Sequence, residues 1–260
     1  MSSEYDGRTV DWGKTSADYS TWRPNYPDRF FRVLKSLGIG IAGQRILDLG
    51  TGVGSIALHF ADVGAIVTAL DISAGQIEEA RRQAAARRLD AQFITSSAES
   101  SGQPDASFDV ITASQSWLYF DSKRMIPEVK RLLASDGVLM TSHMYWLPRR
   151  DAIARASERL VLQYNPRWSH ANVGGDVSVL PSWAEGHFSL DAMFVFDEMI
   201  SFTRASWRGR FRACRAIGAT LTPEETEAFD REHDALLKKI APEQFSVLHR
   251  IDAHILRLAV

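Results

Sequence analysis

Short apolar runs alternate with amphipathic stretches through the first half of this 260-residue chain. Ile46, Leu47 and Leu49 form a run that ends at a glycine cluster, which predicts a buried parallel strand. Residues 65–71 repeat the pattern and end on Asp71. Residues 91–95, the Phe108-Asp109-Val110-Ile111 run to Ala113, and residues 138–142 give a third, fourth and fifth strand. The segments between them read as helices. Phe30, Phe31, Val33, Leu34 and Leu37 make one stripe over 28–37, opened by Pro27 and closed by Gly38. Residues 55–63 form a second helix ended by Gly64, and 74–88 a third with Ile77 and Ala80 inward. Residues 123–134 form a fourth, with Met125, Ile126, Val129, Leu132 and Leu133 inward. Strands alternating with helices predict an α/β protein, a mostly parallel sheet with helices on both faces.

The alternation breaks between Tyr145 and Ser189. Residues 150–162 read as a helix, followed by a loop with Trp168, His170, Gly174, Gly175 and Trp183. That is too long for a plain connection. Residues 194–203 are strand-like and 205–216 helical. Thr222-Pro223-Glu224-Glu225 then starts a helix to about Ile240, with a cap, a proline and first-turn acids in order. Residues 245–258 form the last strand, in which Ile251, Ala253 and Ile255 alternate with His249, Asp252 and His254. The expected organisation is an N-terminal arm over 1–28 and one domain over 29–260, with a cap inserted at about 145–190.

Candidate chemistry starts at the end of the first strand. Asp48-Leu49-Gly50-Thr51-Gly52-Val53-Gly54 puts three glycines at alternate positions before a helix N-terminus. Glycine lets ligand atoms approach the backbone, and the helix end offers free N–H groups. A dinucleotide fingerprint needs its third glycine one position later, so a nicotinamide reductase is disfavoured. A structural glycine turn is the bland alternative. The acidic-x-Gly-x-Gly-x-Gly order resembles the first motif of class I S-adenosylmethionine-dependent methyltransferases. The resemblance implies a Rossmann-like, doubly wound seven-stranded sheet of order 3-2-1-4-5-7-6, with strand seven antiparallel. It implies S-adenosyl-L-methionine as cofactor, held by Asp48, Gly50, Thr51 and Gly52. A carboxylate at the second strand tip can accept both ribose hydroxyls. Asp71 takes that place, with Ile72 beside the adenine, although Asp71 also suits a helix cap. Ser97, Ala98 and Glu99 stand where relatives often carry Asp-Ala-Glu against the adenine; here a serine replaces the first acid. Ser114 and Gln115 follow the fourth strand, facing the crevice of an open α/β sheet. The arm reads Tyr19-Ser20-Thr21-Trp22-Arg23-Pro24-Asn25-Tyr26-Pro27. It is similar to the Tyr-x-x-x-Arg-Pro-x-Tyr-Pro segment of small-molecule methyltransferases of the trans-aconitate methyltransferase kind. By that resemblance Tyr19 flanks the cofactor and Arg23 pairs with its carboxylate.

Composition narrows the partners. A net charge of −2 gives no footprint for nucleic acid, and no Asn-Pro-Pro-Tyr motif of base-methylating enzymes occurs. No apolar run reaches the ~20 residues of a membrane span. The polar, acidic N-terminus is no signal peptide, and the one cysteine, Cys214, reads as packing in a reducing compartment. The expectation is a cytoplasmic monomer or homodimer acting on a small-molecule acceptor. Histidines lie at no metal-ligand spacing, so no metal is expected. Trp117, Tyr119, Trp146 and Trp183 are candidates to line the acceptor site.

Methyl transfer requires alignment and dryness more than acid–base work, because the sulfonium is already activated. A carboxylate acceptor, the leading case by resemblance, needs cations such as Arg149, Arg150, Arg167 or Arg210. A phenol, amine or carbon acid needs a base, and His143 after the fifth strand is the candidate. A structural histidine there, or a cofactor-binding module without catalysis, are the competing readings.

Overall fold

The structure, a computed structural model, describes residues 4–5, 8–9 and 21–259. One sheet holds β1 (Arg45–Leu49), β2 (Ile66–Asp71), β3 (Gln92–Thr95), β4 (Phe108–Ser114), β5 (Leu133–Trp146), β6 (Phe188–Thr203) and β7 (Gln244–Leu258). The spatial order is β3-β2-β1-β4-β5-β7-β6. β3 through β5 are parallel, and β7 runs antiparallel to both of its neighbours. This is the order the family resemblance implies. A separate ribbon pairs Glu4–Tyr5 with Arg8–Thr9. Tyr19, expected at the cofactor, lies outside the described residues.

Alternation along the strands splits the core. From β1, Ile46 faces one side, packing with Phe30 and Leu34 of α1 (Asp28–Ser36), Phe60 of α2 (Ser55–Asp62) and Ile77 of α3 (Ala74–Arg87). Leu47 and Leu49 face the other side, against Met125, Val129 and Leu132 of α4 (Ser122–Leu132). A third cluster lies beyond the strand ends. There α5 (Ala152–Tyr164), α6 (Arg204–Arg212) and α7 (Pro223–Ile240) close Trp207, Phe211 and Phe229 over Trp146, Phe202 and Val247. Thr222 and Glu225 cap α7 reciprocally, as the local sequence predicts.

The strands differ from expectation in length. β5 runs to Trp146 instead of stopping at Ser142, because β7 continues the pairing from His143↔Asp252 to Trp146↔His249. β4 stops at Ser114, opposite Ser142. His143 is therefore inside a strand on one side and at the sheet tip on the other. β6 starts at Phe188, not 194, since it pairs with the whole of β7. The helix expected over 205–216 ends at Arg212, and the turns after it still bury Ala213, Ala216 and Ile217.

The helical layer depends on Trp207, which is fully buried and donates from Nε1 to Ser157 Oγ at 3.0 Å. Trp207→Ala should cost about 3–5 kcal/mol in denaturant unfolding, with the lost transfer and the cavity both contributing. A loss under about 1 kcal/mol would show that the layer refills the gap.

Candidate active site

The glycine loop is shaped by close approach. Gly50 has φ +66°, and a Cβ there would stand 2.6 Å from Ser116 Cβ. Ser116 is held in place by its Oγ donating to Leu49 O at 2.7 Å. Gly54, φ +83°, starts α2 against Ala80 and Phe93. The loop folds around two carboxylates. Asp48 is 2% exposed and accepts from Thr112 Oγ1 at 2.6 Å. Burial pushes its carboxyl up from 3.8 to about 6, against the lowering effect of that bond. Asp71 accepts from the Gly52 N–H at 2.9 Å and the Ser73 N–H at 2.8 Å. Burial raises it too, and those backbone bonds oppose the rise.

Two small compartments meet at Gly50. One is lined by Arg23, Tyr26, Asp48, Thr51, Ser114, Gln115 and Met144, among others. The other is lined by Asp71, Ile72, Ser97, Ala98, Glu99 and Phe120. In the second, Ser97 Oγ donates to Glu99 Oε2 at 2.5 Å, and Glu99 Oε1 accepts from Asp121 N at 3.2 Å. Burial alone would raise Glu99, but these bonds outweigh it and hold its carboxyl low. Gln115 closes the first compartment with φ +63°, rare outside glycine. Its N–H donates to Ser142 O at 2.8 Å and its Nε2 to Met144 O at 2.6 Å. The strained backbone therefore clips the β4 tip to β5.

Arg23, Gln115 and Met144 also line a much larger cavity of about 550 Å³. Its walls include His143, Tyr145 and Trp146 of β5, Asp252 and His254 of β7, Tyr119, Trp168, Trp183 and Arg210. His143 Nδ1 lies 2.9 Å from Asp252 Oδ1, with the histidine one-third exposed and the aspartate buried. A carboxylate accepts only, so His143 donates from Nδ1 and keeps the Nε2 lone pair. His254 Nδ1 stands 3.9 Å from the same Asp252 oxygen, and His254 Nε2 donates to Ser178 O at 2.7 Å.

The sequence-predicted residues sort clearly. All described cofactor candidates line the two compartments except Gly52, which holds Asp71 by its N–H. Tyr119, Trp146 and Trp183 line the cavity. Trp117 does not: it is buried beneath Trp183, ring centroids 4.1 Å apart, and supports the wall from behind. Of the four arginines considered for a carboxylate acceptor, only Arg210 lines the cavity. Arg150 pairs with Asp197 at 2.5 Å, Arg149 reaches Asn172 Oδ1 at 3.4 Å, and Arg167 is exposed. Asp252, to which the sequence reading gave no role beyond the polar side of the last strand, lines the cavity beside His143. Among the described residues no cluster of metal-ligating side chains occurs, and no helix is long and apolar enough to cross a membrane.

Comparison with known proteins agrees with this geometry. A family model described as a methyltransferase domain matches residues 46–137. The demethylmenaquinone methyltransferase of Thermus thermophilus is 28% identical over 226 residues, 86% of this chain and 84% of that one. The ubiquinone biosynthesis O-methyltransferase of Pasteurella multocida is 26% identical over 178 residues, 64% of this chain and 73% of that one. An S-adenosylmethionine-dependent methyltransferase from Thiobacillus denitrificans, solved with S-adenosyl-L-homocysteine, superimposes with a TM-score of 0.55 at 21% identity, covering 95% of this chain and 98% of that one. The chain carries a methyltransferase domain over residues 46–137, and these likenesses support the class I S-adenosylmethionine-dependent methyltransferase that the motifs imply. The residues present fit that cofactor: a buried carboxylate suits an ammonium, and a second carboxylate at a strand tip suits a ribose.

Asp48 gives a pH test. A carboxylate binds a cation only when ionised, so S-adenosylhomocysteine affinity measured by calorimetry should fall as pH drops through about 6. Asp48→Asn should bind weakly with no such dependence. The folded carboxyl binds protons more tightly than the unfolded one, so ligand-free stability declines as pH rises from about 4 to about 6. Asp48→Asn should therefore stabilise the ligand-free protein at pH 7, by up to about 3 kcal/mol. A variant less stable at pH 7 and unchanged in affinity would show that Asp48 is structural.

Proposed function

We propose that the acceptor is a small, partly apolar molecule with an ionisable O–H, a phenol or an enol, and that His143 deprotonates it. The carrying observation is the His143–Asp252 contact of 2.9 Å inside a cavity that adjoins the cofactor compartment. Asp252 holds the imidazole with Nε2 unprotonated and stabilises the charge His143 gains. The aromatic walls of Tyr119, Trp146 and Trp183 suit a planar acceptor and exclude water. The Pasteurella relative is named as an O-methyltransferase, in keeping with an oxygen acceptor.

The bound cofactor supplies an activated methyl group on a sulfonium. On this reading Asp48 takes its ammonium and Arg23 its carboxylate, the fork of a guanidinium matching that group. Asp71 accepts the ribose hydroxyls, with Ile72, Ser97, Ala98 and Glu99 around the adenine. Ser114 and Gln115 separate the methionine end from the acceptor. His143 Nε2 would take the acceptor proton, leaving the acceptor oxygen with the lone pair that receives the methyl group the bound cofactor would supply. Carboxylate methylation is the second reading; Arg210 in the cavity wall favours it, and it needs no base.

Methyl-labelled cofactor offered with panels of phenols, enols and carboxylates separates the two. With a phenol or enol as acceptor, the rate should rise from acid toward neutral pH. His143→Gln should lose that rise and about 10²–10⁴-fold in rate. Asp252→Asn should also slow the reaction strongly, because an amide permits the wrong tautomer. A methyl ester product from a carboxylate acceptor, with a rate flat near neutrality and insensitive to His143→Gln, would overturn the base assignment.

A further inference from the structure

Tyr26 belongs to the Arg-Pro-Asn-Tyr-Pro stretch but has no role in the scheme above. It is buried, with its ring 4.1 Å from Phe30. Its hydroxyl lies 3.1 Å from Ser142 Oγ, and Ser142 Oγ lies 2.8 Å from Ser114 Oγ. Ser142 is fully buried. Three hydroxyls thus join the segment before α1 to the end of β4 and to the residue of β5 opposite it.

The place of this chain matters. Tyr26 and Ser114 line the compartment that contains Asp48 and Gly50. Ser142 directly precedes His143 and pairs with Ala253, next to Asp252. The chain therefore borders the Asp48 compartment and reaches β5 one residue before His143, which lines the large cavity. Burial raises the Tyr26 phenol, and Asp252 adds to the rise, so the group is a neutral hydroxyl. Each hydroxyl donates once, so the orientation of one O–H sets the next along the chain. Apolar side chains would fill the same wall without burying polar groups, which points to a geometric use for the hydroxyls.

We propose that Tyr26 and Ser142 are positioning residues whose hydroxyl chain, through Ser114, sets how the methionine end of the cofactor sits against the acceptor at His143. The inference rests on the assignment of the Asp48 compartment to that end of the cofactor. Two ligands distinguish it from a general structural role. S-Adenosylhomocysteine carries the amino-acid end, whereas 5′-methylthioadenosine lacks it.

Calorimetry with both ligands on Tyr26→Phe, Ser142→Ala, the double variant and Asp71→Ala is the test. Tyr26→Phe keeps the ring against Phe30 and removes only the oxygen. Each single variant should weaken S-adenosylhomocysteine about tenfold, the scale of one buried hydrogen bond. Methylthioadenosine should stay within about twofold of wild type. The double variant should bind about as the weaker single one does, since cutting a chain twice removes little more. Asp71→Ala should weaken both ligands. Wild-type affinity in both single variants, equal losses for the two ligands, or fully additive losses would each overturn the inference. If Asp71→Ala keeps wild-type affinity, the cofactor assignment falls as well; if only that variant weakens, the cofactor site stands and the positioning role does not.

Discussion

The antiparallel insertion of β7 between β5 and β6 is the constraint on which the large cavity of this protein depends. A parallel neighbour alone would let β5 end at Ser142, where β4 stops pairing with it. β7 continues the ladder to Trp146, which holds His143 in a strand with Asp252 opposite. The same long strands carry Trp146, Phe202 and Val247 into the core under α5, α6 and α7. A single ladder thus aligns the histidine–aspartate pair and supports the helices that wall the cavity. Moving β7 by one residue would turn Asp252 to the opposite face and break the pair.

On the cofactor side the fold holds charge at a cost. Burial opposes ionisation at both Asp48 and Asp71, and at Asp71 the N–H groups of Gly52 and Ser73 work against that rise. Gly50 is pressed against Ser116, and Gln115 takes a backbone conformation that side chains disfavour. These are local departures from the most stable arrangement, concentrated in one crevice at the ends of β1, β2 and β4. Such departures persist when the surroundings over-determine them, as the clip from Gln115 to Ser142 and Met144 does here.

The two sides meet at a narrow seam. Arg23, Gln115 and Met144 face both the small compartment and the large cavity. The seam is built from residues close to β4 and β5 and from the segment before α1, so its geometry is set by the sheet more than by loops. A transfer reaction benefits from that rigidity, because alignment of the reacting atoms is most of what the protein contributes. The cavity beyond is lined largely by residues after β5.

What the sequence determined by itself is what rests on local chemistry. Apolar run length and helical stripes specify β1 to β4 and α1 to α4, and the glycine spacing after Asp48 specifies the cofactor loop. Those signals are short-range, since each depends on residues within a turn or a strand of one another. Tertiary structure decided the rest. Nothing near His143 in the chain reveals Asp252, 109 positions away, because antiparallel register is set by the whole ladder. Trp117 looks the same as Trp183 in sequence, yet one is a supporting layer and the other a cavity wall, since depth comes from packing alone. Arg150 and Arg210 carry the same charge, but Asp197 holds the first outside the cavity that the second lines. The cavity beside His143 belongs to this second class. It is assembled from β5, β7, the loop before β6 and the turns after α6, and only their packing brings those side chains to one cavity.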